Sequence, residues 1–385
     1  MADLRPLHGL KVVDLSRNAP GPLATMLMAD FGAEVTQVVR PVQPGFEHYS
    51  GGTADDPYTA MRFQRYDAAM RGKRSVALDL KTEQGREAVL RLTDRADVFV
   101  EEMRPGKAAK LGLGYKALAA RNPGLIYCSI SGFGQTGPLR DAPGHDLTYL
   151  ALSGALSLIR DEADRPVNPQ NILADNGAGS MMALVGVLLA LIARARTGRG
   201  QHVDVSITDA TLVLMTDLIS TALGGGHDPE GWRGRYTGEA PHFRPYRCAC
   251  GGWLTVAALE TVFAERFFAV LGRADLAEAL ADRGRWPWIR AELEAAFAAR
   301  SRDEWIAAFE GQEACVAPML SLAEAAAHPQ TRAREMVVET DGIRQVGIAP
   351  KLSATPGGIS APPRRLGEDT AAVLAELGLS ERAAP

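Results

Sequence analysis

The stretch "LKVVDLSRNAPGPLATMLMADFGAEVTQVV", Leu10 to Val39, decides the fold. Its first part, Leu10 to Ser16, is an apolar run of strand length. The segment from Pro20 to Ala33 has prolines near its start and Gly32 near its end, the asymmetry expected of a helix. Glu34 to Val39 then returns to β-branched residues. Strand, helix and strand in so short a span predict parallel pairing, because two antiparallel neighbours would need no helix between them.

The pattern continues with "SVALDL" from Ser75, "TEQGREAVLRLTDRA", "DVFVEE", "GKAAKLGLGYKALAARN" and "LIYCSISGFG". Such alternation predicts an α/β chain whose large domain, residues 1–205, is a Rossmann-like parallel sheet covered by helices. Residues 206–240, with "GGGHDPEGW", read as a connection. From Pro241 a strand pair around "CACGGWLTVAAL" leads into several helical segments, which predicts a smaller α+β domain over 241–330. A second connection over 331–352 precedes a Pro-rich stretch and a last helix in "EDTAAVLAELGLS". The uncharged run Met181 to Ala193 is shorter than the ~20 residues of a bilayer span. It is expected to be a buried core helix, and no membrane partner is expected.

Composition narrows the function. A chain of 385 residues accommodates two domains, and 46% hydrophobic with 23% charged residues is ordinary globular composition. A formal net charge of -4 provides no broad basic field, so small-molecule chemistry is expected rather than a nucleic-acid partner. Cys128, Cys248, Cys250 and Cys315 are too few and too irregular for a disulfide framework, and the start of the chain lacks a charged-then-apolar leader, so a cytoplasmic location is expected. The "CAC" at Cys248 to Cys250 resembles half a metal site, but no second cluster follows, and no metal is expected. No G-x-G-x-x-G follows the first strand, and there is neither a phosphate-binding Walker loop nor a G-x-S-x-G elbow.

Three places can carry chemistry. In "GHD", Gly144 to Asp146, His145 can exchange a proton near neutrality, and Asp146 can orient it or cap the next helix. Asp175 stands where small residues open the apolar helix, beside backbone N–H groups suited to an oxyanion, or serves as a cap itself. Glu260 follows an apolar strand and reads equally as solvated surface. None of the three decides the function alone.

Taken together, the segments "PLHGLKVVDLSRNAPGPLATMLMADFGAEV", "RGKRSVALDLKTEQGREAVLRL", "ADVFVEEMRPGKAAKLGLGY", "ISGFGQTGPLRDAPGHDLTYLALSGALS", "LADNGAGSMMALVGVLLAL" and "APPRRLGEDTAAVLAELGLS" resemble the family III CoA-transferases, also called CaiB/BaiF. Within them, "GHD", "ADNGAGS", "ALETVF" and "EACVAP" resemble the α-methylacyl-CoA racemase branch. The resemblance implies a CoA thioester as substrate with no prosthetic group, and His145 and Asp175 as acid/base groups on opposite faces of the acyl α-carbon. It implies that Glu260 hydrogen-bonds to His145 from the other subunit of an interlocked homodimer, and that residues 353–385 return to the large domain. Arg40, Leu78, Leu80, Arg104 and Lys110, with Gly144, Asp146 and Tyr149, are the implied contacts to substrate and CoA. The transferase branch offers an alternative in which the residue at Asp175 is a nucleophile that forms an acyl anhydride and then a CoA thioester. The chain departs from the pattern at Met70, at Asn176, in the polar "SRN" of Ser16 to Asn18, and in a long segment from Pro44 to Ala69.

Overall fold

The computed structural model describes residues 4–41, 67–161, 163–224 and 238–379. Most of the long Pro44 to Ala69 segment lies outside the described residues, as does "GGHDPEGW" after Gly224. The chain divides into two units, of which the first comprises Met1–Leu156, Asn168–Met215 and Ala333–Pro385.

In the first unit, β1 (Lys11–Asp14), β2 (Glu34–Val39), β3 (Lys73–Ala77), β4 (Val98–Glu101), β5 (Ile126–Ser131) and β6 (His202–Ser206) form one six-stranded sheet. The order is β3-β2-β1-β4-β5-β6 and every pairing is parallel, with Val13 opposite Thr36 on one side and Phe99 on the other. The expected Rossmann-like sheet is therefore present. Strand order reverses between β1 and β4, which opens a crevice at their carboxyl ends, the usual place for a ligand in such sheets.

The helix α1 (Pro20–Asp30) crosses from β1 to β2, α2 (Glu83–Thr93) from β3 to β4, and α3 (Lys107–Lys110) and α4 (Tyr115–Arg121) lie between β4 and β5. Thr82 caps α2 by accepting the Gly85 N–H at 3.0 Å. Burial of Val13, Val38, Val76, Phe99 and Tyr127 against Val89, Leu118, Val373 and Leu374 makes one core. At about 25 cal/mol per Å² of apolar area, this burial is the main force holding the layers together.

The C-terminal stretch is part of this core, and named polar contacts fix it there. Asp369 accepts the Ser75 N–H at 2.8 Å, and Arg74 pairs with Glu376 at 2.8 Å. The fully buried Arg71 pairs with Asp30 at 2.6 Å and also donates to the Val346 carbonyl. Val346 ends the hairpin Val337–Thr340 and Ile343–Val346, a piece of structure within the stretch read from sequence as a connection.

Three further helices lead to the site. They are α5 (Asp146–Ser153), α6 (Met181–Thr197) and α7 (Ile207–Leu214). Helix α6 packs on β5, β6 and α1, yet only Ala183, Val187 and Ala190 are buried. Met181, Val185, Leu189 and Ile192 recur at helical spacing and are exposed, Leu189 by 61%. The expectation of a buried core helix is corrected: one small-residue stripe packs inward and a large apolar face is exposed. Helical structure is also continuous from Gln170 to Thr197, 28 residues, long and apolar enough to cross a membrane by length and composition.

The second unit comprises Ser157–Val167 and Thr216–Arg332. It begins its main body with α8 (Thr216–Gly224), and β7 (Phe243–Arg247), β8 (Trp253–Ala257) and β9 (Val316–Pro318) form an antiparallel sheet. Helices α9 (Thr261–Leu271), α10 (Ala274–Ala279), α11 (Trp286–Phe297) and α12 (Arg302–Phe309) cover it around Phe267, Phe268, Leu293 and Phe297. Cys248 and Cys250 occupy the turn between β7 and β8. Among the described residues no cluster of His, Cys, Asp and Glu is suited to a metal ion.

Candidate active site

The loop after β5 leads to His145, which takes the N-cap position of α5 with an extended backbone. Thr148 fixes this helix start: the His145 N–H donates to Thr148 Oγ1 at 3.0 Å, and the Thr148 hydroxyl donates to the His145 carbonyl at 2.7 Å. Two glycines make room for the next turn. A Cβ at Gly132 or Gly144 would lie 2.3 or 2.5 Å from the Tyr149 ring, which is buried and packs edge-on against Phe133.

Asp146 is buried, and its carboxylate turns away to a distant piece of chain. Its Oδ1 accepts the backbone N–H groups of Ala174 at 3.1 Å and Asp175 at 2.9 Å. Two expectations change here. The N–H groups offered to an oxyanion at Ala174 and Asp175 are occupied by Asp146, and Asp146 holds the Asp175 turn in addition to starting α5. By contrast, the N–H groups of Asp146 and Leu147 in the first turn of α5 have no hydrogen-bond partner among the described residues.

Asp175 lies in a π-helical segment, Leu173–Ser180, that runs into α6. Gly177 and Gly179 suit the crowding there, since a Cβ on Gly177 would be 2.9 Å from the Ile172 carbonyl. Single-turn π segments inside helices recur at functional sites because they re-aim a side chain. Partial burial pushes the Asp175 carboxyl up to about 6, the Asp146 charge adds to the shift, and His145 opposes it. Both His145 and Asp146 therefore act on the same carboxyl. Tyr149 feels the same pocket: burial, then Asp175, Glu102 and Asp146 push its phenol up to about 12.

A second group gathers at the carboxyl ends of the strands. Lys107, at the start of α3, is held below the usual lysine range first by desolvation and then by Arg17, Arg40, Arg104 and Lys81. These five cations follow β1, β2, β3 and β4, so the parallel sheet converts residues far apart in sequence into one anion-attracting edge. Arg40 and Arg104, the two arginines that the resemblance assigns to CoA, are among these five. Arg17, Lys81 and Lys107 were missed, although each follows a strand end. Lys110 is exposed on α3. Leu78 is buried in the main core with Leu80 packed against it.

Glu260 belongs to the second unit. It is exposed, precedes α9 as its N-cap residue, and its carbonyl accepts the N–H groups of Phe263 and Ala264 at 3.0 and 2.9 Å.

This open α/β sheet carries a cationic carboxyl edge, and the first unit also holds a carboxyl of raised pKa that feels the charge of His145. The family model described as CoA-transferase family III matches residues 7–370, and the chain belongs to that enzyme family. It is 38% identical to an "Alpha-methylacyl-CoA racemase" of Mus musculus, covering 97% of this chain and 94% of that one. It is 32% identical to a "Succinate--glutarate CoA-transferase" of Agrobacterium fabrum, covering 98% and 97%. A solved CAIB/BAIF family protein from Brucella suis matches with a TM-score of 0.82 at 30% identity, over 97% of this chain and 99% of that one.

Proposed function

We propose that this chain is a 2-methylacyl-CoA racemase in which His145 and Asp175 exchange the α-proton on opposite faces of the thioester. One observation carries the reading: Asp146, next to His145, accepts the N–H of Asp175 at 2.9 Å, which ties the start of α5 to the Asp175 turn. The racemase relatives at 38% and 36% identity support the same reading.

The chemistry follows from the environment. A carboxyl pushed up to about 6 can take up and give back a proton near neutrality, which a reaction running in both directions requires. One group takes the α-proton as the electron pair moves into the thioester carbonyl, the planar enolate forms, and the other group delivers a proton to the opposite face. The open N–H groups at the start of α5 suit the enolate oxygen, being beside His145 and at the positive end of the helix.

The five-cation edge suits the phosphates of CoA through charge-assisted hydrogen bonds. Met181 and the half-buried Met182, just after the Asp175 segment, give the acyl chain an adaptable apolar neighbour. The exposed face of Met181, Val185, Leu189 and Ile192 supports a homodimer, since a contiguous apolar patch of this kind needs a cover. Glu260 of the second copy is then assigned to orient His145.

CoA transfer is the second reading, favoured by transferase relatives at 31–35% identity. There Asp175 is the nucleophile and His145 is dispensable. Incubation with one enantiomer of a 2-methylacyl-CoA in D2O separates the readings. The racemase gains α-deuterium and loses chirality; a transferase does neither and instead moves CoA to an added carboxylate.

A further inference from the structure

Glu102 leaves β4 at the switch point and does nothing in the acid/base scheme. Its carboxylate accepts three backbone N–H groups from the turn after β1: Oε2 takes those of Arg17 at 3.1 Å and Asn18 at 2.8 Å, and Oε1 takes that of Gly21 at 2.6 Å. The approach is so close that a Cβ on Gly21 would lie 2.7 Å from Oε1 and 2.2 Å from the Ser16 Cβ. The clamp runs along the backbone of "SRN": Ser16 donates its N–H to Asp14 at 2.8 Å, and the next two residues turn their N–H groups to Glu102.

The clamped turn carries Arg17, one of the cations around Lys107. Beneath it lies a buried network in which Lys73 donates to Asp14 at 3.3 Å, the Pro22 carbonyl at 2.9 Å and Thr25 at 2.7 Å. We propose that Glu102 is a positioning residue whose charged carboxylate closes the Arg17–Gly21 turn and so sets Arg17 among the cations that hold the ligand's phosphates. Protonation removes acceptor capacity from one oxygen, loosens the turn and weakens binding.

The switch falls in the neutral range. Burial, the largest cause, pushes Glu102 up to about 7, the three N–H groups oppose this, and Asp14 adds to it. The other groups that feel its charge are Lys73 below, Cys128 on β5 and Tyr149 on α5. The clamp is complete above pH 7 and is lost as pH falls through that value. This inference rests on reading the cationic edge as the CoA site.

The test uses dephospho-CoA, whose bridging diphosphate does not titrate near neutrality, with calorimetric Kd values at pH 6 and pH 8 for the full chain. The wild type is expected to bind about tenfold more weakly at pH 6, the size of one charge-assisted contact. Glu102→Gln is expected to bind weakly at both values, and adding Arg17→Ala to it to cost nothing further. A Glu102→Gln protein that binds like wild type, or keeps its pH dependence, overturns the proposal. If the wild type itself does not bind dephospho-CoA, the CoA reading fails. Hydrogen exchange of the ligand-free protein at pH 8 then decides the clamp: faster exchange across residues 17–21 in Glu102→Gln supports it, and unchanged exchange overturns it.

Discussion

The Asp146 carboxylate accepts the N–H of Asp175 at 2.9 Å, so the residue that follows His145 also holds the Asp175 turn. Its charge raises the Asp175 pKa as well. Asp146→Asn keeps an acceptor but removes the charge, so Asp175 ionises at lower pH. The acidic limb of the kcat–pH profile is expected to move below its wild-type position near 6. Asp146→Ala also frees the turn and is expected to lower kcat by about 10²-fold, the usual cost of a misplaced catalytic group.

Variants at His145 and Asp175 are expected to separate racemisation from CoA transfer. His145→Ala is expected to reduce α-proton exchange by about 10²–10⁴-fold, the range for a lost general acid/base, and to leave any CoA transfer intact. Asp175→Asn is expected to impair both. Deuterium uptake and CoA transfer, assayed on the same preparations, check the division.

Lys107→Ala is expected to raise KM for acyl-CoA by about tenfold with kcat unchanged, because Lys107 is a cation on which Arg17, Arg40, Arg104 and Lys81 all act and takes no part in the proposed proton transfer. Added salt should shrink the difference, since exposed charges are screened over about 8–10 Å. A kcat effect without a KM effect would remove Lys107 from the phosphate site.

The Arg71–Asp30 pair, both side chains 2% exposed or less, joins α1 to the C-terminal hairpin. Asp30→Ala leaves a buried guanidinium without its partner and is expected to cost about 3–5 kcal/mol in urea unfolding. Glu376→Ala, which breaks a surface pair with Arg74, is expected to cost less than about 1 kcal/mol.

Glu101 supplies a test of sign. Burial pushes its carboxyl from 4.5 up to about 7, so its contribution to stability is present below pH 4.5 and is lost as pH rises through 7. Glu101→Gln lacks this dependence. Relative to the wild type, the variant should gain up to about 3 kcal/mol between pH 4.5 and pH 8, read from urea midpoints.

Much of the sheet was legible because β1, β2, β4 and β5 are runs of Val, Ile and neighbouring apolar residues. β3 begins earlier than its apolar run, at Lys73, because that lysine is buried on Asp14 and local polarity cannot reveal a partner so far away in sequence. β6, His202–Ser206, was missed for the same reason: His202 shares a hydrogen bond with Ser129 at 2.9 Å and stacks on Tyr115, so its polarity is satisfied across strands. His145 and Asp175 were singled out through family motifs. The π segment and the contact from Asp146 were not, because neither leaves a periodic trace. The exposed face of α6 was misread because an apolar run does not say whether its cover lies in the same chain.

In the proposed racemase reaction His145 and Asp175 work as a pair, one removing the α-proton and the other delivering a proton to the opposite face of the enolate. The direct measurement is incubation of the purified protein with a single enantiomer of a 2-methylacyl-CoA in D2O, with α-deuterium followed by mass spectrometry and chirality by circular dichroism. Deuterium gain together with loss of chirality is expected, both slowed by about 10²–10⁴-fold in His145→Ala. Retained chirality without deuterium, alongside CoA transfer to an added carboxylic acid, would contradict it.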